Sequence, residues 1–241
     1  MPRGRVPVLM EQHSQRPIGL FGGTFDPIHH GHLRPALELL EILELEQVRL
    51  IPCADPPHRG APMAPGPFRL EMARAAVHDQ PGLEVDDREM RRPGPSYTLD
   101  TLLAFREELG PKRPLCLILG SDAFLGLPRW SRWEALLEQA HIVVAHRPGW
   151  QLTPDGDLSR VLEACRSDDR ADLHRLPAGR ILTQQVTQLE ISSSVIREIL
   201  DRGGSVRYLT PDPVVRMIES SPYYSRRPAR SYARVTREGG A

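Results

Sequence analysis

Lysine is nearly missing from this chain: Lys112 is the only one, so almost all of the positive charge is arginine. That bias suits bidentate phosphate forks, but coding composition is the plainer account. Net charge is missing as well, since 31 lysines and arginines balance 31 aspartates and glutamates. No global field draws in nucleic acid or a membrane surface, and neither is expected as a partner. Cysteine is scarce. Cys53, Cys116 and Cys165 are an odd, widely spaced set, none with a Cys or His at zinc-ligand spacing, and they read as reduced thiols in a cytoplasmic protein. No apolar run approaches the ~20 residues of a membrane span. The N-terminal arginines are not followed by an apolar signal core, no internal repeat is visible, and no carboxylate cluster resembles a preformed metal cage.

What the chain does have, in 241 residues, is room for one α/β domain with a substantial core. Strand-like runs at 17–21, 48–52, 83–86, 115–119, 142–145 and 181–189 alternate with helical patterns at 33–45, 68–78, 130–140 and 158–165. A further helix opens at Pro95-Ser96-Tyr97-Thr98, with Ser96 or Thr98 as N-cap, and runs to Leu109. Residues 53–67 are crowded with proline and form a loop at the edge of the second strand. Residues 88–94 read as a charged loop, and 167–172 as a disordered segment or charged lobe. Ser192 or Ser193 caps a helix through 202, and 211–220 is a last short helix. The pattern predicts an α/β fold: a doubly wound, Rossmann-like parallel sheet with helices on both faces and a small C-terminal helical subregion. The division is a flexible extension at 1–16, one domain at 17–223 and a flexible arginine-rich tail at 224–241.

The stretch Gly22-Gly23-Thr24-Phe25-Asp26-Pro27-Ile28-His29-His30-Gly31-His32 sits on a strand-to-helix turn. Glycines allow close approach to an anion, and the first N–H groups of the helix point at the same spot. His29 and His32, three apart, can reach one oxyanion. Ser192 and Ser193 at a later helix start, with Arg197 one turn in, make a second anion site. Two imidazoles, free N–H groups and no evident nucleophile suit charge stabilisation on a phosphoryl group without a covalent step. Gly120-Ser121-Asp122 follows the most apolar strand, and Asp122 there is either an acceptor for a ribose or a helix N-cap. Read alone, Trp130 is a core residue, and His58 and Arg59 lie on a solvated loop.

The first stretch resembles the signature of the HxGH nucleotidyltransferase superfamily, and Ile191-Ser192-Ser193-Ser194-Val195-Ile196-Arg197 is similar to its second signature. His30 falls at the variable position. From 17 to 223 the chain resembles bacterial nicotinate-nucleotide adenylyltransferases. The resemblance implies transfer of the adenylyl group of ATP to nicotinate mononucleotide, giving nicotinate adenine dinucleotide and pyrophosphate, with Mg2+ carried by ATP. It implies catalytic roles for His32, His29 and Arg197. Gly22, Gly23, Thr24, Phe25, Gly120, Asp122, Ser192 and Ser193 join those three at ATP. His58, Arg59, Tyr97, Thr98, Trp130, Ser131 and Arg147 fall at the nicotinate mononucleotide, with Trp130 stacked on the pyridine ring and Thr98 and the Ser131 backbone at the carboxylate. Alternatives are the same transfer to nicotinamide mononucleotide or phosphopantetheine, and a nucleotide-binding regulator that performs no transfer. Homo-oligomerisation is left open.

Overall fold

The computed structural model describes residues 15–56, 60–149 and 152–224. Six parallel strands form the sheet: β1 (Ile18–Gly23), β2 (Gln47–Pro52), β3 (Leu83–Val85), β4 (Leu115–Gly120), β5 (His141–His146) and β6 (Ile181–Gln185), in the order β3-β2-β1-β4-β5-β6. The helices are α1 (His30–Ile42), α2 (Gly66–Val77), α3 (Arg88–Arg91), α4 (Thr98–Leu109), α5 (Ser121–Leu125), α6 (Leu136–Gln139), α7 (Gly156–Cys165), α8 (Asp172–Arg175), α9 (Ser193–Asp201) and α10 (Asp212–Ser220). This is the expected doubly wound architecture.

Alternation along the strands builds two apolar layers. Ile18 and Leu20 of β1, Leu115, Leu117 and Leu119 of β4 and Ile142 and Val144 of β5 pack with Leu102 and Phe105 of α4, Phe124 of α5 and Leu136 of α6. The intervening Cys116, Ile118, Val143 and Ala145 face the other way, toward Leu39 of α1, Met72 of α2 and Ile218 of α10. A strand buried on both faces needs apolar residues at every position, which is why β4 and β5 read as continuous apolar runs. A small third cluster, Ile196, Val206 and Val215, joins α9 to α10 and makes the C-terminal helical subregion.

The strand order reverses between β1 and β4. β1 pairs with β2 along its whole length, from Ile18↔Gln47 to Gly23↔Pro52. Against β4 its pairing stops at Leu20↔Leu117. The carboxyl ends of the two central strands therefore separate, and the crevice that a parallel sheet offers at such a reversal opens there.

Several local expectations need correction. Residues 88–91 are a helical turn rather than loop, because Asp86 accepts from the Arg88 backbone (2.9 Å) and guanidinium (2.8 Å), and that guanidinium lies over the Phe105 ring at 3.2 Å. In place of the single helix expected over 130–140, one 3-10 turn, Trp133–Ala135, leads into the short α6, and Arg132 at φ 54° holds residues 130–132 out of the helix; a separate 3-10 turn, Leu127–Arg129, lies before the expected span. β6 stops at Gln185, since two residues on the Thr187 N–H leaves the sheet for Glu38 Oε2 at 2.6 Å. Residues 167–172 form an ordered turn in which Ser167 Oγ donates to Asp172 Oδ2 at 2.8 Å. At the N-terminal boundary, Arg16 donates to the carbonyls of Glu44 and Leu45, both at 2.8 Å. Tyr224, assigned to the tail by its position, is 3% exposed and packs in the core. Residues 1–14 and 225–241 lie outside the described residues, as do His58 and Arg59.

Candidate active site

The crevice at the reversal is a cleft of about 1910 Å³. Its lining includes Gly22, Gly23, Thr24, Phe25, His29 and His32 of the first signature, Ser192, Ser193 and Arg197 of the second, Gly120 and Asp122 after β4, and Tyr97, Thr98, Trp130, Ser131 and Arg147. Every described residue singled out in the sequence therefore meets in one space, although the two signatures lie 160 residues apart in the chain, counting from His32 to Ser192 (192 − 32).

The first turn is fixed by donors from distant elements. Its carbonyls at Thr24, Asp26, Pro27 and Ile28 accept from Arg69 Nη1 (2.6 Å), Arg197 Nη1 (2.6 Å), Ser193 Oγ (3.0 Å) and Thr210 Oγ1 (2.7 Å) respectively. Gly23 is required by packing, since a Cβ there would meet the Phe25 ring at 2.6 Å. Phe25 is 1% exposed, so its side chain is not open to a ligand. Its ring stands edge-on to His32 at a centroid distance of 5.0 Å and backs the imidazole. Gly31 permits the approach of the two signatures. A Cβ at that position would lie 2.9 Å from both His29 Nδ1 and the carbonyl oxygen of Ile191.

His29 and His32 stack with ring centroids 3.7 Å apart. The His29 backbone N–H donates to His32 Nδ1 at 3.3 Å. A neutral imidazole that accepts at Nδ1 carries its proton on Nε2, so His32 is set as an Nε2–H donor. His29 is buried, and its Nδ1 has no hydrogen-bond partner among the described residues. Burial, with a smaller effect from His30, pushes its pKa down to about 4. His29 is thus neutral at neutral pH.

In the second signature Ser192 is the N-cap of α9 and accepts from the Val195 N–H at 3.2 Å, which settles the choice between Ser192 and Ser193. The Ser193 hydroxyl donates to the Pro27 carbonyl at 3.0 Å, so its proton is not available to an anion. Arg197 is held at Asp26 O and, through Nη2, at Ser194 Oγ (3.2 Å). Asp122 is in the first turn of α5, whose N-cap is Gly120; of its two readings the N-cap is excluded, and the exposed carboxylate borders the cleft. At α4 neither Ser96 nor Thr98 is the cap. Tyr97 holds that place with no side-chain cap, because Ser96 Oγ accepts instead from the Ala54 N–H at 3.2 Å. Trp130 is partly buried against the core and also borders the cleft. Arg147 forms an exposed pair with Glu190 at 3.5 Å. The Cys53 thiol also lines the cleft, but burial pushes it up to about 11, so it is no nucleophile at neutral pH.

A cytidylyltransferase-like family matches residues 20–199. A protein of Hahella chejuensis named "Probable nicotinate-nucleotide adenylyltransferase" is 49% identical over 216 residues, 89% of this chain and 98% of its own. One of the same name from Halorhodospira halophila is 50% identical over 209 residues, 87% of this chain and 95% of its own. The chain belongs to the nicotinate-nucleotide adenylyltransferase family. It is a nucleotidyltransferase. The Plasmodium falciparum nicotinic acid mononucleotide adenylyltransferase complexed with NaAD shares the fold, with a TM-score of 0.64 at 18% identity over 87% of this chain and 97% of that one.

In this adenylyltransferase the residues missed by reading the sequence are those that hold the turn. Asp26 stood inside the signature without a role, and Arg69 is a buried arginine in α2 whose sequence context is that of any amphipathic helix. Its guanidinium reaches the carbonyls of Thr24, Ala54 and Ala64 at 2.6, 3.1 and 3.1 Å. One side chain thereby joins the first turn to both ends of the proline-rich loop. Among the described residues no three His, Cys, Asp or Glu are grouped to hold a metal ion, and no helix is long and apolar enough to cross a membrane.

Proposed function

We propose that this chain transfers the adenylyl group of MgATP to nicotinate mononucleotide, forming nicotinate adenine dinucleotide and pyrophosphate, and that the cleft between β1 and β4 is where it does so. The observation that carries the reading is the meeting of His29, His32 and Arg197 with the Thr98–Trp130–Ser131 end in one cleft. A triphosphate lies along the two helix starts, with Gly22, Gly23, Thr24 and the backbone N–H groups at Ser192 and Ser193 against its oxygens. Asp122, with Gly120 beside it, takes the ribose. Magnesium belongs to the substrate.

The acceptor phosphate is already ionised. It attacks the α-phosphorus in line, a new P–O bond forms, and the bond to the pyrophosphate oxygen breaks with its electron pair. No protein base is needed. His32 Nε2–H stabilises the charge that builds on the α-phosphoryl oxygens, and Arg197 that on the leaving pyrophosphate. His29, neutral and buried beneath His32, keeps that ring in place. At the other end the uncapped start of α4 at Thr98 and the Ser131 backbone take the nicotinate carboxylate, Trp130 faces the pyridine ring, and Tyr97 and Arg147 complete the wall. His58 and Arg59 are assigned to the mononucleotide phosphate. Cytoplasmic placement is part of the same proposal, supported by three free thiols.

Pyrophosphate release measured with MgATP and, in turn, nicotinate mononucleotide, nicotinamide mononucleotide and phosphopantetheine tests the reading. Turnover is expected to be highest with the nicotinate form. A preference for the amide would overturn the acceptor, and ATP binding without pyrophosphate release from any acceptor would favour the regulator.

A further inference from the structure

The carboxylate of Asp26 is buried beside the arginine of the second signature, yet it does not form a close ion pair with it. Its Oδ1 accepts from the Tyr224 hydroxyl at 2.6 Å and the Ala64 N–H at 3.2 Å, and its Oδ2 from the Met63 N–H at 2.7 Å. Arg197 Nη1 donates at 2.6 Å to the Asp26 main-chain carbonyl, while its distance to Oδ2 is 3.8 Å. A buried carboxylate with an arginine so near ordinarily closes into a bidentate pair. Here three other donors occupy it, and the guanidinium keeps N–H groups for the cleft.

Tyr224 is the strongest of the three by distance. It is buried, its ring lies near Phe68 (centroids 6.4 Å), and it comes from the far end of the described chain, 198 residues from Asp26. Burial and the bond to Asp26 both push the phenol's pKa up, so it remains a donor at any working pH.

We propose that Tyr224 is a positioning residue for the transfer: by occupying the Asp26 carboxylate it keeps the Arg197 guanidinium available to the phosphates of ATP. Met63 and Ala64, at the end of the proline-rich loop, hold the same carboxylate. The clasp thus ties acceptor loop, first turn and second signature to one acidic group. This role rests on the reading proposed above for Arg197.

Tyr224→Phe keeps the ring and removes only the hydroxyl. The freed carboxylate then draws Arg197 in. The expected result is a fall of about tenfold in kcat/KM for ATP, the size of one lost charge-assisted contact, with kcat lowered as well because Arg197 acts on the leaving pyrophosphate. The decisive comparison is the same change in an Asp26→Asn background, where no charge competes for the guanidinium: Y224F should there alter kcat/KM for ATP less than about twofold. A purely structural hydroxyl would give the same fold-change in both backgrounds, and that result overturns the proposal. Should Y224F alone fail to fold, the D26N and D26N/Y224F pair, which lacks the under-satisfied buried charge, carries the comparison. If the wild-type protein releases no pyrophosphate, the transfer reading fails rather than the clasp. Calorimetric affinity for a non-hydrolysable ATP analogue with magnesium across the same variants then decides the clasp by the same criterion.

Discussion

His29 lies flat against His32, with ring centroids 3.7 Å apart, and its backbone N–H occupies His32 Nδ1. One histidine thus sets both the orientation and the tautomer of the other. His32→Ala should lower kcat by about a hundredfold or more, as a lost oxyanion donor does, while weakening ATP binding far less. Single-turnover rates compared with the affinity for an unreactive ATP analogue check this. Equal losses in the two would contradict a role confined to the transition state.

Protonation of His29 opposes folding. Its folded pKa is about 4 because burial disfavours the charged ring, whereas the unfolded chain takes up the proton near the ordinary value of about 6.5. The stabilisation is complete above that value and is lost as pH falls from about 6.5 toward 4, since only the unfolded state gains the proton there. His141, also buried and also shifted down, acts in the same direction. The wild-type melting temperature should fall between pH 7 and pH 5, His29 accounting for on the order of 2 kcal/mol. His29→Gln should flatten that dependence. An identical slope in the variant would show that the burial of this ring does not govern it.

Gly31→Ala tests the approach of the two signatures. The added methyl would meet His29 Nδ1 and the Ile191 carbonyl at 2.9 Å, so either the imidazole or the backbone before α9 must give way. Activity should drop by about a hundredfold, comparable to misplacing a catalytic group by an ångström. Circular dichroism should still report the wild-type helix content. Retention of full activity would mean that the junction is more pliable than its geometry indicates.

Arg69→Met removes a buried guanidinium whose three bonds all go to main-chain carbonyls. Methionine fills much of the volume but leaves Thr24, Ala54 and Ala64 without those donors, each a loss of roughly 1–3 kcal/mol. The midpoint of urea unfolding should decrease by an amount matching several kcal/mol, and KM for both substrates should rise together, because one side chain anchors both the turn proposed to hold ATP and the loop proposed to hold the acceptor. A rise confined to one substrate would separate the two anchors.

The positions and parallel kind of the strands were legible because apolar periodicity survives translation into a buried parallel sheet: β4 and β5 were continuous apolar runs, and Ser192, one of the two expected caps, opens α9. Boundaries failed where a side chain overrode local preference. Arg132 in the left-handed region delayed the helix expected at 130–140 to Trp133, and Ser96 left its capping position for the Ala54 backbone. Neither event has a signal within the few residues around it.

What the sequence by itself determined was the chemistry available: glycines before a helix start, two imidazoles a turn apart, and a serine-capped helix carrying one arginine. Only the tertiary structure decided which groups face the cleft with capacity to spare. Phe25 turned inward behind His32, the Ser193 hydroxyl was spent on Pro27, and Asp26 took its donors from Met63, Ala64 and Tyr224 rather than from Arg197. The physical reason is range. Periodicity and capping act within a turn or two of chain, whereas a buried polar group takes whatever donor the packed sheet brings within about 3 Å, however distant in sequence.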